Sequence, residues 1–180
     1  MNIIGKKLFS VLLFAWGLSG CVGVSSDGMG YDVRVPLSVV NTTVAQNFPK
    51  KQQTNYGTIL IDKPNILGQQ GNNKLSVGTS FSFVSMLIPS GIKGEISFSS
   101  GIRYNAQNRG LYLASPMIDE LKFQEFSLSK YLTPQLRNAI GDVIAQELMK
   151  KPIYHMNNIG ASFVRGVSVR QGELVVTVGL

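Results

Sequence analysis

The chain has 180 residues, a formal net charge of +7, one cysteine and one histidine. One cysteine cannot form a disulfide within the chain, and one cysteine with one histidine cannot supply the several nitrogen or sulfur ligands of a zinc site. The composition therefore predicts a protein that depends on its own hydrophobic core and holds no metal or cofactor.

Residues 1–20 have the pattern of a secretory signal peptide. Lys6 and Lys7 precede a short apolar run that ends in the small residues of Leu18-Ser19-Gly20. The run is only about half of the roughly 20 apolar residues that a membrane-spanning helix needs. Cleavage would remove Lys6 and Lys7 and no acidic residue, so the net charge of the remaining 160 residues falls from +7 to +5.

Cys21 follows this segment, and Leu18-Ser19-Gly20-Cys21 resembles the lipobox of bacterial lipoproteins. The resemblance implies cleavage before Cys21 and acylation of both its thiol and its new amino group, and several acyl chains anchor a protein firmly. The alternative is a secreted protein with a free thiol. Val22 is not aspartate, so the enterobacterial sorting rule implies the outer membrane, most naturally with the protein facing the periplasm. Residues 21–30, rich in glycine and serine, predict a flexible tether.

The positive charge is scattered, with adjacent basic pairs after residue 20 only at Lys50-Lys51 and Lys150-Lys151. Export argues against a nucleic-acid partner, and anionic lipid head groups are a better match for a basic exported protein. The alternative is a solvated surface with no selected partner.

Residues 31–180 predict a single domain, which begins with a short helix over residues 36–48. Pro36 suits the first turn and Pro49 follows the end. The apolar residues recur every three or four positions and would share one face: Leu37, Val40, Val44 and Phe48.

A long antiparallel meander is predicted next, because alternating apolar segments are joined by short turns. The predicted strands cover residues 56–61, 75–83 and 92–104, and residues 111–126 are predicted to form one long strand or two shorter ones, bent near Pro116.

A second helix is predicted after Thr133, a candidate N-cap, with Pro134 at its first position and Pro152 as its stop. Its apolar stripe is broad enough to face a core: Leu132, Leu136, Ala139, Ile140, Val143, Ile144 and Leu148. A loop at 156–161 and two strands, at 165–169 and 174–178, close the chain.

Catalytic signatures are absent from the sequence. It has no Gly-x-Ser-x-Gly elbow and no phosphate-binding loop. His155 is interpreted as a surface or edge histidine, and Asp119 and Glu120 would face opposite ways on a strand. The prediction is a non-enzyme; an unrecognised site around His155 or Asp119 is the remote alternative.

The predicted sheet carries large apolar residues on one face and serines on the other, and one helix facing a curved sheet would cover the apolar face. Such an arrangement can leave an apolar slot, which needs no catalytic residue to hold an acyl chain. The alternative is ordinary core. The predicted apolar wall consists of nine residues: Phe81, Phe83, Ile96, Phe98, Leu136, Ile140, Val143, Ile144 and Leu148.

The chain resembles the YceB-like bacterial lipoproteins, a family of uncharacterised function, in a set of segments that follow one another in the same order. The segments are Tyr31-Asp32-Val33, Lys74-Leu75-Ser76-Val77, residues 105–113, Leu132-Thr133-Pro134-Gln135-Leu136, Lys151-Pro152-Ile153-Tyr154 and residues 166–176. The resemblance implies an α+β fold akin to the tubular lipid-binding proteins: a long curved antiparallel β-sheet wrapped around a C-terminal α-helix, plus the short N-terminal helix. It supplies no catalytic residues, and this chain is richer in glycine and serine than better-known relatives.

The expected function is non-catalytic binding of a lipid or other hydrophobic molecule by an outer-membrane lipoprotein. The alternative is a structural or assembly module that recognises another envelope protein, with the strand at 174–180 lying at a sheet edge and accepting a partner strand.

Overall fold

The computed structural model describes residues 22–24, 28, 30–69, 73–124, 132–157, 159–170 and 172–179. In these residues the chain is α+β, mostly antiparallel strands with two α-helices and one 3-10 helix. The predicted signal peptide and Cys21 lie outside them. Of the predicted tether, Val22–Val24 forms a strand, because it pairs with the edge of the next strand.

The described strands fall into two sheets rather than the single long sheet that was predicted. The first has the order β1-β2-β11-β10. Its strands are β1 (Val22–Val24), β2 (Tyr31–Pro36), β10 (Val164–Arg170) and β11 (Glu173–Val178). Because β11 pairs with both β2 and β10, it is an interior strand, and the expectation that this segment lies at a sheet edge is wrong.

The second sheet has the order β3-β4-β6-β7-β8-β9, with β5 also paired to β6. Its strands are β3 (Lys50–Thr54), β4 (Gly57–Ile61), β5 (Asn65–Gly68), β6 (Leu75–Val84), β7 (Ile92–Asn105), β8 (Gly110–Phe123) and β9 (Tyr154–His155). The four predicted strands correspond to β4, β6, β7 and β8. Along β6 and the first half of β7, up to Ser99, the apolar positions are buried and the serines lie on the other face, as the alternation predicts.

The predicted bend near Pro116 is a bulge in β8. The register with β7 shifts between Ser99 and Gly101, and Ser115 adopts a positive φ of 47°. Proline has no N–H for a strand ladder, so a bulge is where it fits. The buried Ser100 hydroxyl accepts from the Ala114 amide at 3.1 Å, which repairs the interrupted ladder.

Helix α1 covers Leu37–Ala45 and ends three residues before the predicted limit. Leu37, Val40 and Val44 are its buried face, as the spacing predicts. The Asn41 side chain donates to the Ile66 carbonyl at 2.9 Å and accepts from the Ile66 amide at 2.7 Å, so α1 is tied to β5.

Helix α2 covers Pro134–Lys150 and confirms the predicted start. The Thr133 hydroxyl accepts from the Leu136 amide at 3.2 Å, the expected N-cap bond. The helix approaches β8 closely at Gly141, where a Cβ atom would lie 2.4 Å from the Ile118 Cδ1 atom.

Both sheets and both helices contribute to one buried cluster. Its members include Val35, Val176, Phe98, Leu111, Val40 and Ile144. The Tyr104 hydroxyl on β7 donates to the Ala161 carbonyl in the 3-10 helix (Ile159–Phe163), and burial raises the pKa of this tyrosine.

Candidate ligand cavity

A cavity of about 290 Å³ lies between helix α2 and the β3–β4 hairpin. We call it the helix–hairpin cavity. Its lining is Gln52, Gln53, Thr54, Asn55, Tyr56, Ile59, Phe83, Leu136, Ala139, Ile140 and Val143.

The apolar part of the lining comes from two directions. Ile59 on β4 pairs with Phe83 on β6, so the two side chains are neighbours on one face of the sheet. The four helical residues of the lining are spaced three, one and three positions apart, which places them on one face of α2. Phe83, Ile59 and Ile140 are at most 1 % exposed and form the floor.

The rim of the cavity is polar and belongs to the β3–β4 turn. The Thr54 hydroxyl donates to the Gly57 carbonyl at 2.8 Å and accepts from the Tyr56 amide at 3.2 Å, so the turn is held by its own hydrogen bonds. Tyr56 is 60 % exposed beside this opening. An apolar floor with polar groups at the rim is the usual make-up of a small-molecule pocket.

Four of the nine residues of the predicted apolar wall line this cavity: Phe83, Leu136, Ile140 and Val143. The structure places the other five in the buried cluster, at most 4 % exposed and outside this lining: Phe81, Ile96, Phe98, Ile144 and Leu148. The predicted wall is therefore divided, because the stripe of α2 is wide enough to serve both the cavity and the core.

Sequence reasoning missed the hairpin side of the cavity. Strand β3, Lys50–Thr54, has no apolar residue, so no hydrophobic period marks it as a strand. A polar, lysine-bearing strand at a sheet edge is a common protection against edge-to-edge pairing. The only available signal was the position of this segment directly before an apolar strand.

Other concavities in the described residues have charged side chains in their linings, which the helix–hairpin cavity does not. One of about 350 Å³ includes Lys63, Glu95, Glu120 and Lys122 on the serine-bearing face of the second sheet. Lys122 Nζ lies 2.8 Å from a Glu120 carboxylate oxygen, and this hydrogen bond and the carboxylate charge raise the lysine pKa. A charged surface of this kind is solvated by water and indicates no particular polar ligand.

The remote catalytic candidates are not brought into a cluster with metal-binding capacity. His155 is exposed on the short strand β9, and Asp119 accepts a hydrogen bond from the Ser99 hydroxyl at 2.6 Å. Among the described residues, no group of three His, Cys, Asp or Glu side chains could hold a metal ion. In the same part of the chain, neither α-helix has the length and apolar character needed to cross a membrane.

Comparison with known proteins gives a family and no characterised relative. The chain has no significant match among curated proteins. A family model described as a protein of unknown function, DUF1439, matches residues 39–172, which include most of α1 and all of α2 and of the strands of the helix–hairpin cavity. The chain therefore belongs to the DUF1439 family.

Proposed function

We propose that this protein is a YceB-like outer-membrane lipoprotein whose folded part binds a lipid or other hydrophobic molecule without catalysis. The observation that carries the proposal is the helix–hairpin cavity, with its apolar floor and polar rim. Its volume of about 290 Å³ is just below the roughly 300–1,000 Å³ typical of ligand pockets.

The finer architecture is part of the same proposal: the second sheet curves around α2 as in the tubular lipid-binding proteins. Support comes from both ends of the sheet. Ile118 on β8 meets α2 at Gly141, and the β3–β4 hairpin flanks the cavity beside Val143. The helix–hairpin cavity lies between α2 and the second of these contacts.

The anchor in this proposal is Cys21, acylated and facing the periplasm from the outer membrane. Val22–Val24 pairs with β2, so the acyl chains would be attached directly beside the folded part. Failure of the Cys21→Ser variant to incorporate labelled palmitate, with incorporation by the unchanged chain, would support this anchor.

Filling the cavity tests ligand binding. Residues 21–180 with Cys21→Ser carry no acyl chain of their own and keep the whole buried cluster, all of which lies after residue 30. Ala139→Trp puts an indole into the cavity, and we expect it to reduce binding of a fluorescent fatty acid at least tenfold. Asn138→Trp, at the exposed neighbouring position, is the matched control and should bind normally.

The proposal is wrong if the unchanged protein takes up no fluorescent fatty acid, or if both tryptophan variants bind it as the unchanged protein does. Circular dichroism of each variant shows whether the fold is retained.

The alternative function, recognition of another envelope protein, is favoured by one observation. Met86 and Leu87 are 100 % and 83 % exposed on the turn between β6 and β7, while the next residue, Ile88, is buried. A specific envelope partner that is lost on replacing both exposed residues by serine, together with an empty cavity, would favour this alternative.

A further inference from the structure

We propose that the ligand is a single-chain amphiphile with an anionic head group, and that Lys50 and Lys151 hold this head group beyond one end of the helix–hairpin cavity, beside the ion pair of Lys150 with Glu147. The inference rests on the proposed function and names the ligand class. We call Lys50, Lys150 and Lys151 the lysine cluster.

The lysine cluster borders a second, small cavity between α2, the start of β3 and the segment that follows α1. This cavity has a volume of about 60 Å³ and is lined by Asn47, Phe48, Lys50, Glu147, Lys150 and Lys151. Glu147 is one helical turn, about 6 Å, beyond Val143 of the first cavity. Lys50 is two strand residues, about 7 Å, beyond Gln52 of the first cavity. The small cavity thus lies further along the gap between β3 and α2 than the helix–hairpin cavity does.

Strand geometry directs Lys50 toward this gap. Lys50 pairs with Ile61 of β4 and Gln52 pairs with Ile59, so Lys50 and Gln52 lie on the same face of the sheet as these two buried residues. Lys51 pairs with Leu60 and therefore lies on the other face of the strand. The side chains of Lys50 and Lys51 therefore lie on opposite faces of the sheet.

The charge at this end of the gap is positive after internal pairing. The buried Glu147 carboxylate is paired with Lys150 Nζ. In the described part of the chain, the side chains of Lys50 and Lys151 form no ion pair or hydrogen bond. Two lysines therefore remain for an external anion, against only about half a negative charge from the C-terminal end of α2.

The length and volume of the space beside α2 favour a ligand with one acyl chain over a ligand with two. From Leu136 to Lys150 the helix rises about 21 Å. One leaflet of a bilayer, spanned by one acyl chain, is about 15 Å thick because the hydrocarbon core of both leaflets is about 30 Å. The distance along α2 from Leu136 to Lys150 therefore matches one acyl chain plus a small head group. The helix–hairpin cavity, at about 290 Å³, is small for a second chain.

The test compares ligands that share a chain and differ in the head group. Residues 21–180 with Cys21→Ser are titrated with palmitate, hexadecanol and hexadecylamine, each displacing the uncharged probe N-phenylnaphthylamine. We expect palmitate to bind best and the amine worst. Lys50→Gln with Lys151→Gln should weaken palmitate binding about tenfold, as expected for lost charge-assisted hydrogen bonds, and leave hexadecanol unchanged. Lys150 is kept, because its loss would leave the buried Glu147 unpaired.

The matched control is Lys51→Gln with Lys93→Gln, which removes the same charge from exposed positions outside both cavities. It should bind palmitate like the unchanged protein. Equal binding of palmitate and hexadecanol, or equal weakening by both double variants, would overturn the head-group assignment while leaving the proposed function in place. Absence of any probe binding would overturn both.

Discussion

At the scale of single residues, Asn41 shows how a residue that disfavours a helix can be required by the fold. Asparagine is a weak helix former, yet Asn41 lies inside α1 and makes two hydrogen bonds to the backbone of Ile66. Ile66 is fully buried on β5, which is paired to β6 alone among the described strands. The Asn41 amide therefore replaces the neighbouring strand that β5 lacks.

Replacing Asn41 by alanine should lower the free energy of unfolding by about 1–3 kcal/mol, because both backbone groups of Ile66 lose their partner while buried. Urea denaturation of both proteins measures the difference. Thr42→Ala is the control on the same helix, since the exposed Thr42 hydroxyl bonds only to the Ser38 carbonyl. Equal stability of the Asn41 variant and the unchanged protein would contradict the assigned role.

At the scale of elements, the pairing of β6 with β7 depends on a glycine beneath an aromatic ring. Phe81 pairs with Gly94, and a Cβ at Gly94 would lie 2.5 Å from both the Phe81 Cζ atom and the Lys122 carbonyl oxygen. The Phe81 ring also meets Phe123 of β8 edge to face, with ring centroids 5.8 Å apart. Three strands are thus packed around the space that Gly94 leaves open.

Gly94→Ala should destabilise the protein by about 1–3 kcal/mol, the usual range for an overpacked site, because the backbone carbonyl cannot move as a side chain can. Gly78→Ala on β6 is the matched control: its Cβ meets no atom within 4 Å. The control should be neutral or stabilising by up to about 1 kcal/mol. Thermal unfolding of the two variants decides, and similar melting temperatures would contradict the packing described for Gly94.

The elements that sequence patterns predicted are those whose own residues carry a period. Helix α2 has a broad apolar stripe, an N-cap threonine and a proline at its start, and β6 alternates strictly. The elements that were missed are defined by partners: β3 by its pairing with β4, and β9 by two residues beside Gly110 and Leu111. The division into two sheets depends on pairing between β2 and β11, which are more than 130 residues apart in the chain.

The same distinction explains the candidate site. Phe83, Leu136, Ile140 and Val143 could be predicted, because each belongs to a periodic apolar face. The polar rim and the lysine cluster could not, since Lys50 faces the gap only through the register of β3 on β4. Periodicity also could not separate core from cavity, so Phe98 and Ile144 were predicted in the wall although they lie outside the cavity lining.

At the scale of the whole molecule, the proposed function combines an acylated Cys21 with a folded part that binds an amphiphile. The first sheet carries β1, the strand that follows Cys21. The second sheet and α2 line the helix–hairpin cavity beside the Tyr56 turn, and the small cavity at the lysine cluster lies further along β3 and α2. The family match covers the second sheet, α2 and most of α1, so both cavities belong to the part of the chain that defines the family.

Native mass spectrometry tests the central claim most directly. Residues 21–180 with Cys21→Ser would be exported to a bacterial periplasm and purified without detergent, beside the same chain carrying Ala139→Trp. We predict a complex of the first protein with one single-chain anionic amphiphile and the bare polypeptide for the second. The bare polypeptide in both, under conditions that keep a known lipid-binding protein loaded, would contradict the account.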